Sequence, residues 1–326
     1  MKPMIHVTLA AAFAAFAPPL VAQERTLQLG HIANEDNSWH QASLRFAEEV
    51  ERLTEGRIEV DVFPNDSLGG EIDLINGMQL GTADMTITGE SLQNWAPMAS
   101  LLAVPYAYAS LEQMDEVAGG EIGDEIEAQI IERARVRPLA YFARGPRELT
   151  ANQPIETPDD LNGLQIRVPN VPLFVDVWSE LGARPTPMAF AEVFTSLQNG
   201  TIAGQENPLA LIRSASFSEV QSHVNMTDHV RSWIYLAISE QTWSQLSDED
   251  QSAIQEAAQI AQEYERGLFQ ESLEADRQAL EESGMTFVEV DYQAFAEAAR
   301  DAVLSNVSEE IRPTVEQLFE EQSASE

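Results

Sequence analysis

Two hydrophobic periodicities take turns between Thr26 and Thr88, and that alternation restricts the fold more than any other feature. Thr26–Ile32 has strand character. Asn37 or Ser38 can then cap a helix in which Leu44, Phe46, Ala47, Val50 and Leu53 recur at helical spacing. Gly56 stops that helix, and Arg57–Phe63 alternates as a second strand. A second helix, about Glu71–Leu80, ends at Gly81 and leads to a third strand, Asp84–Thr88. Strand, helix, strand, helix, strand demands parallel strands joined by crossover helices. In such sheets a ligand sits beyond the carboxyl ends of the strands. That rule singles out His31 and Asn34 after the first strand and Glu90 after the third, although a lone histidine is as a rule structural.

Beyond Thr88 the pattern continues as α/β. Ser110 to Arg135 is helical and divided at Gly119-Gly120, and Val136–Ala143 is the next strand. Thr157-Pro158-Asp159-Asp160 reads as a capped start with proline at the first helical position. Helices are expected at Val171–Leu181 and Phe190–Gln198, and strands at Val224–Thr227 and Trp233–Ser239, the second returning to the first lobe. Ser247 to Glu282 is persistently helical, about 50 Å of helix at 1.5 Å per residue, longer than one small domain. Its apolar spacing is too irregular for sustained heptads. A strand at Phe287–Val290 and helices at Tyr292–Leu304 and around Glu309–Glu321 close the chain.

Charge and the first residues bear on where such a chain works. Met1–Ala22 carries one lysine and then an apolar run too short to cross a bilayer, which reads as a secretory signal peptide. The 54 acidic residues against 18 basic ones give a formal charge of -36, which makes nucleic acid and anionic membrane surfaces poor partners, and no nucleic acid is expected to bind. The acids are spread over helices such as Glu48–Glu51 and Asp248–Glu256, which predicts a self-repelling solvated surface suited to a saline habitat. With no cysteine there is no thiolate nucleophile and no cysteine metal site.

Gln165–Val168 is a short strand run that holds one arginine and ends at Pro169. A guanidinium at a strand end beside a cleft is a fixed fork of donors matched to a planar carboxylate. Arg147 lies upstream in RGPRELTAN, and Asn207 downstream in GQENP. The ordered set GLQIRVPN followed by RPTPMAFAEVFTSLQNGTIAGQENP resembles the solute-binding proteins of tripartite ATP-independent periplasmic (TRAP) transporters, DctP type, and the similarity runs from about Leu27 to the last helices.

The resemblance implies a two-lobed α/β periplasmic binding protein fold, each lobe a mixed sheet flanked by helices, with a long helix spanning both lobes. Residues 23–144 with about 233–272 would form the first lobe, and 145–232 with about 273–326 the second. It implies that Arg167 grips a ligand carboxylate together with Arg147, that Asn207 assists, and that Glu90 faces ligand hydroxyl groups. Phe190 is expected either to cover the ligand's apolar face or to belong to the core, and Trp233 either to stack on a sugar ring or to pack in the core.

The implied activity is a periplasmic receptor, acting as a monomer, that captures an organic acid and delivers it to membrane permease subunits. A hexuronate such as glucuronate or galacturonate fits the polar set best; sialic acid and C4-dicarboxylates stay open. No phosphate loop, dinucleotide fingerprint, HExxH or GxSxG arrangement occurs, and the five histidines include no i,i+4 pair. No cofactor, metal or catalytic group is therefore expected. A periplasmic uronate lyase and an extracytoplasmic sensor module remain as competing classes.

Overall fold

A computed structural model describes residues 25–325, so the signal-peptide expectation for Met1–Ala22 lies outside the described residues. The alternation at the start folds as anticipated: β1 (Arg25–Gly30), α1 (Ser38–Leu53), β2 (Ile58–Phe63), α2 (Glu71–Leu80) and β3 (Met85–Thr88). Asn37 caps α1 by accepting the Trp39 amide, and Gly81 ends α2 in the left-handed region at φ +73°. Next come α3 (Leu111–Ala118), α4 (Glu121–Gln129) and β4 (Val136–Ala143), with one π-helical turn at Ile130–Ala134 carrying the chain into β4.

The second half contains β5 (Arg147–Ala151), β6 (Gln165–Val168), α5 (Pro172–Glu180), β7 (Arg184–Pro187), α6 (Val193–Gln198), β8 (Gly204–Pro208) and α7 (Leu209–Ser214). It continues through β9 (His223–Val230), β10 (Trp233–Ser239), α8 (Glu240–Trp243), α9 (Asp248–Glu282), β11 (Thr286–Val288), α10 (Tyr292–Asn306) and α11 (Arg312–Ser325). Three strands escaped the sequence pattern: β5, β7 and β8. Their segments RELTA, RPTP and GQENP are polar or proline-rich, and β7 tolerates two prolines because it is an edge strand. The last strand begins one residue earlier than expected, and the closing helix three residues later, just before Pro313.

These strands form two mixed sheets, β2-β1-β3-β10-β4 and β11-β9-β5-β8-β6-β7. In the first, β1 pairs in parallel with β2 and β3, while β10 runs antiparallel to β3 and β4. In the second, β5 is antiparallel to both β8 and β9, and β6 is parallel to β7 and β8. The chain passes between sheets at Arg144-Gly145-Pro146, after β4, and returns at Arg231-Ser232, before β10.

Helix α9 spans the two lobes. Its N-terminal half buries Ile254, Ala257, Ala258 and Ala261 against the core of the first sheet. Leu280, near its other end, packs with Phe217 and Val224 of the second lobe, and Asp276 binds Arg213 at 2.6 Å. One acid ties the helix to the crossing itself. Glu265 accepts the Ser38 hydroxyl and the Ala143 amide, each at 3.1 Å.

Candidate functional site

Where the chain crosses between sheets, both lobes wall off a cavity of about 270 Å³, close to the lower end of the range for small-molecule pockets. The first lobe contributes Trp39 from α1, Glu71 from α2, the strand end Thr88-Gly89 and then Glu90. Gly89 is needed for closeness: a Cβ there would stand 2.8 Å from Ile234 Cγ2 and 3.2 Å from the Trp233 carbonyl. The second lobe contributes Arg147, Arg167, Asn170, Met188, Phe190 and Asn207, and Arg144 projects from the crossing strand. The lobes also touch directly. Asn94 donates to the Asn170 carbonyl at 2.8 Å, Asn34 to the Ser214 carbonyl at 2.5 Å, and Gln93 accepts the Leu173 amide at 3.3 Å.

Strand alternation aims Arg167. Ile166 and Val168 face the core, so the residue between them faces the other side of β6. A different device positions Arg147. Its pairing partner β9 is irregular: Arg147 opposes Val230 but Leu149 opposes Asn225, and Asp228 in the bulge sits at φ +40°. The bulge lets the Asp228 amide donate to Glu148 at 2.8 Å and brings His229 against Glu206.

The three guanidinium groups differ sharply in their partners. Arg147 gives Nε to Glu206 Oε2 at 2.5 Å, Nη2 to Glu206 Oε1 and to the Glu206 carbonyl at 2.8 Å, and Nη1 to Glu90 Oε1 at 3.3 Å. Four of its five N–H groups are thus engaged, leaving one for the cavity. Arg144 bonds Glu90 Oε2 through Nη1 at 2.5 Å and lies over the Trp39 ring, with its buried Nε unpartnered. Among the described residues Arg167 meets no carboxylate. Its Nε and Nη2 share the Met188 carbonyl at 3.1 and 2.8 Å, its face lies over Phe190, and three N–H groups remain free.

The titration behaviour follows that pairing. Burial pulls Arg167 down to about 10, because no neighbouring anion compensates fully. Burial works the opposite way on Glu206, yet Arg147 and the His229 hydrogen bond outweigh it and hold the carboxyl at about 2. Glu90 is likewise kept below the usual range, as Arg144 and Arg147 overcome its burial. Burial keeps His229 neutral; Nε2–H donates to Glu206 at 3.0 Å while Nδ1 accepts from Thr227. Glu71 is pushed up by burial and then by Glu90, even though it accepts hydroxyl hydrogens from Thr88 at 2.6 Å and Ser91 at 3.0 Å.

Arg147, Arg167, Asn207, Glu90 and Phe190 are therefore brought to one cavity; His31, Asn34 and Trp233 are not. His31 is buried behind it, bonded ring to ring with His40 at 3.2 Å, and burial lowers its pKa to about 3. Asn34 ties the two lobes together at a neighbouring hollow. Trp233 loses its sugar-stacking role to strand geometry. Trp233, Tyr235 and Ala237 face one core while Ile234, Leu236 and Ile238 face the other, so Ile234 reaches the cavity instead. Arg144, Glu71 and Glu206 were missed. Each is one acid or base among many in the sequence, and only an assignment of β8 as a buried strand would have flagged Glu206.

Residues 29–310 match the family model for bacterial extracellular solute-binding proteins, family 7 (DctP). The chain belongs to that family. It is 70% identical to a solute-binding protein of Roseobacter denitrificans, with 98% of each chain covered. It also superposes on a TRAP periplasmic solute-binding protein of that organism solved with bound L-galactonate, at 72% identity and a TM-score of 0.91, covering 91% of this chain and 99% of the other. A Bradyrhizobium TRAP solute-binding protein in complex with D-galacturonate gives 31% identity and a TM-score of 0.86, covering 90% and 99% of the two chains. As a DctP-type TRAP receptor, the chain is periplasmic, binds a small organic acid and works with membrane permease components.

Proposed function

We propose that this DctP-type receptor captures a six-carbon sugar acid, an aldonate of the L-galactonate type or a hexuronate, and hands it unaltered to its permease. The observation that carries the proposal is Arg167. A buried guanidinium whose only hydrogen-bond partner among the described residues is a carbonyl has its charge incompletely compensated by the more distant Glu206, Glu71 and Glu90, and a carboxylate is the ligand group that would complete it. The surrounding lining then fits the rest of such a molecule. Asn207 and the Glu90 and Glu71 carboxyls offer partners for hydroxyl groups, and Phe190 and Trp39 offer faces for carbon. L-Galactonate in the 72% identical relative supports an open-chain aldonate as the first candidate.

Binding and lobe closure are one event in this reading. Residues 25–144 with about 233–272 would move against 145–232 with about 273–325 around the crossings at Gly145 and Ser232. A ligand touching both Arg167 and Glu90 favours the closed arrangement by its differential affinity. The receptor would act as a monomer without chemistry of its own. The direct test is calorimetry with L-galactonate, D-galacturonate, D-glucuronate, sialic acid and succinate. Stoichiometric binding of a sugar acid with unaltered recovery is expected. Tightest binding of succinate or sialic acid, or turnover of the bound acid, would overturn the reading.

A further inference from the structure

We propose that the cavity accepts a single carboxylate, and that Glu71 is the residue that rejects a second one at the ligand's other end. The inference rests on the sugar-acid reading above and narrows it to mono-anions, excluding the aldarates that share the same carbon skeleton.

Among the described residues, Arg144 is committed to Glu90 and Arg147 to Glu206, with Glu90 also touching Arg147. Of these three cavity arginines Arg167 alone lacks an ion-pair partner, and it is 4% exposed. One incoming carboxylate completes Arg167, after which no unpaired guanidinium faces the cavity. A second carboxylate could reach only N–H groups of Arg144, whose charge Glu90 already balances, so it would stay buried without a counter-ion of its own, which is expensive.

Glu71 turns that lack of a partner into active exclusion. It stands at the first position of α2, and its oxygens are fixed by the Thr88 and Ser91 hydroxyls at 2.6 and 3.0 Å. Both of those donors sit on the strand end and turn that also carry Glu90, so the two carboxyls share one wall. Burial and then the neighbouring Glu90 already work against ionisation of Glu71, so a carboxylate placed there must either face its charge or force a proton onto it. A hydroxyl group is the reverse case. It donates to a remaining lone pair of Glu71 and needs no counter-ion. The wall thus favours a terminal CH2OH over a terminal carboxylate.

L-Galactonate and galactarate form a matched pair for this test, since they differ only in that terminal group. Calorimetry on the wild-type protein should show galactarate binding at least about 100-fold more weakly. Glu71→Gln removes the capacity for charge and keeps the shape, with one of the two hydroxyls turning to accept from the new amide, and should shrink that ratio at least about tenfold. Galactarate within about threefold of galactonate in the wild type would overturn the proposal outright and leave the sugar-acid reading standing. An unchanged ratio in Glu71→Gln would remove Glu71 from the role even if wild-type discrimination is strong. If uronates bind and galactonate does not, the preference for a terminal CH2OH is overturned while the sugar-acid reading stands. Failure of every sugar acid to bind would sink the sugar-acid reading and this proposal with it.

Discussion

Glu206 holds Arg147 by both carboxylate oxygens, at 2.5 Å to Nε and 2.8 Å to Nη2, with both side chains essentially without solvent contact. A buried pair of this kind contributes little net stability, because desolvation offsets most of the attraction. Its effect is on orientation: with His229 behind Glu206 and Glu90 in front, the Arg147 fork has one available position.

Glu206→Gln should therefore be costly in a specific way. It leaves the Arg147 charge only Glu90, which Arg144 already shares, and breaks the two-pronged contact, for which about 3–5 kcal/mol of stability is typical. Replacing both partners, Glu206→Gln with Arg147→Met, should recover much of the chemical-denaturation midpoint but not sugar-acid binding. If the double variant is no more stable than the single one, stranding of a buried charge is not the cause of the loss.

Arg167 makes the opposite prediction, since its charge is buried without a carboxylate. Arg167→Met should leave the unliganded protein as stable as before or more so, while ligand affinity falls by about a hundred- to several-thousand-fold, the scale of about 3–5 kcal/mol. Thermal unfolding with and without saturating acid reads both quantities at once, because the ligand increment follows RT ln(1 + [L]/Kd). A large loss of unliganded stability would show that Arg167 is structural.

How far the sequence carried this picture depends on what each residue's neighbours are. Gln165–Val168 and Trp233–Ser239 match the folded strands residue for residue, because apolar runs bounded by breakers mark buried strands. The alternation that made β10 legible also decides against Trp233, whose side must be opposite to that of Ile234. Glu206 and Arg144 could not be read in the same way. Their significance lies in partners 59 and 54 positions away, and no local periodicity encodes such a pair. Nor could the unequal standing of Arg147 and Arg167 be foreseen, since the motif gives both residues but not which one already has a counter-ion.

The pH dependence of stability is a sum of opposing windows, and His31, lowered to about 3 by burial, contributes stability that is lost as pH falls from about 6.5 toward 3. Burial raises Glu265, at the tie between α9 and the crossing, from 4.5 to about 7. The folded state then binds more protons than the unfolded state between those values, so this group lowers stability as pH rises from about 4.5 to about 7, by on the order of 3 kcal/mol in the limit. Asp66, at about 6, and Glu127, at about 7, act in the same direction. Glu206 acts in the other direction and in a more acid window. Its folded value of about 2 gives stability that is complete above 4.5 and lost as pH falls toward 2. Relative to the wild type, Glu265→Gln should make the slope of stability between pH 5 and 7 more positive and leave the limb below pH 4 unchanged; an unaltered slope would exclude a contribution from Glu265.

Salt should act on capture in the direction opposite to that of an electrostatically steered pair. The formal charge of -36 repels an anion at long range, while the contacts that hold it once bound are buried. Raising the salt from about 0.1 M to about 1 M shortens the screening length from ~10 Å to ~3 Å, which weakens the approach barrier far more than the enclosed Arg167 contact. Stopped-flow tryptophan fluorescence should therefore show the association rate climbing with salt at a nearly constant dissociation rate. The same screening relieves repulsion between helices such as α1 and α9, whose acids crowd the surface, so the unfolding temperature should rise in parallel. An association rate that falls with salt would mean that the local field of Arg167 and Arg144 reaches beyond the mouth of the cleft and dominates the approach.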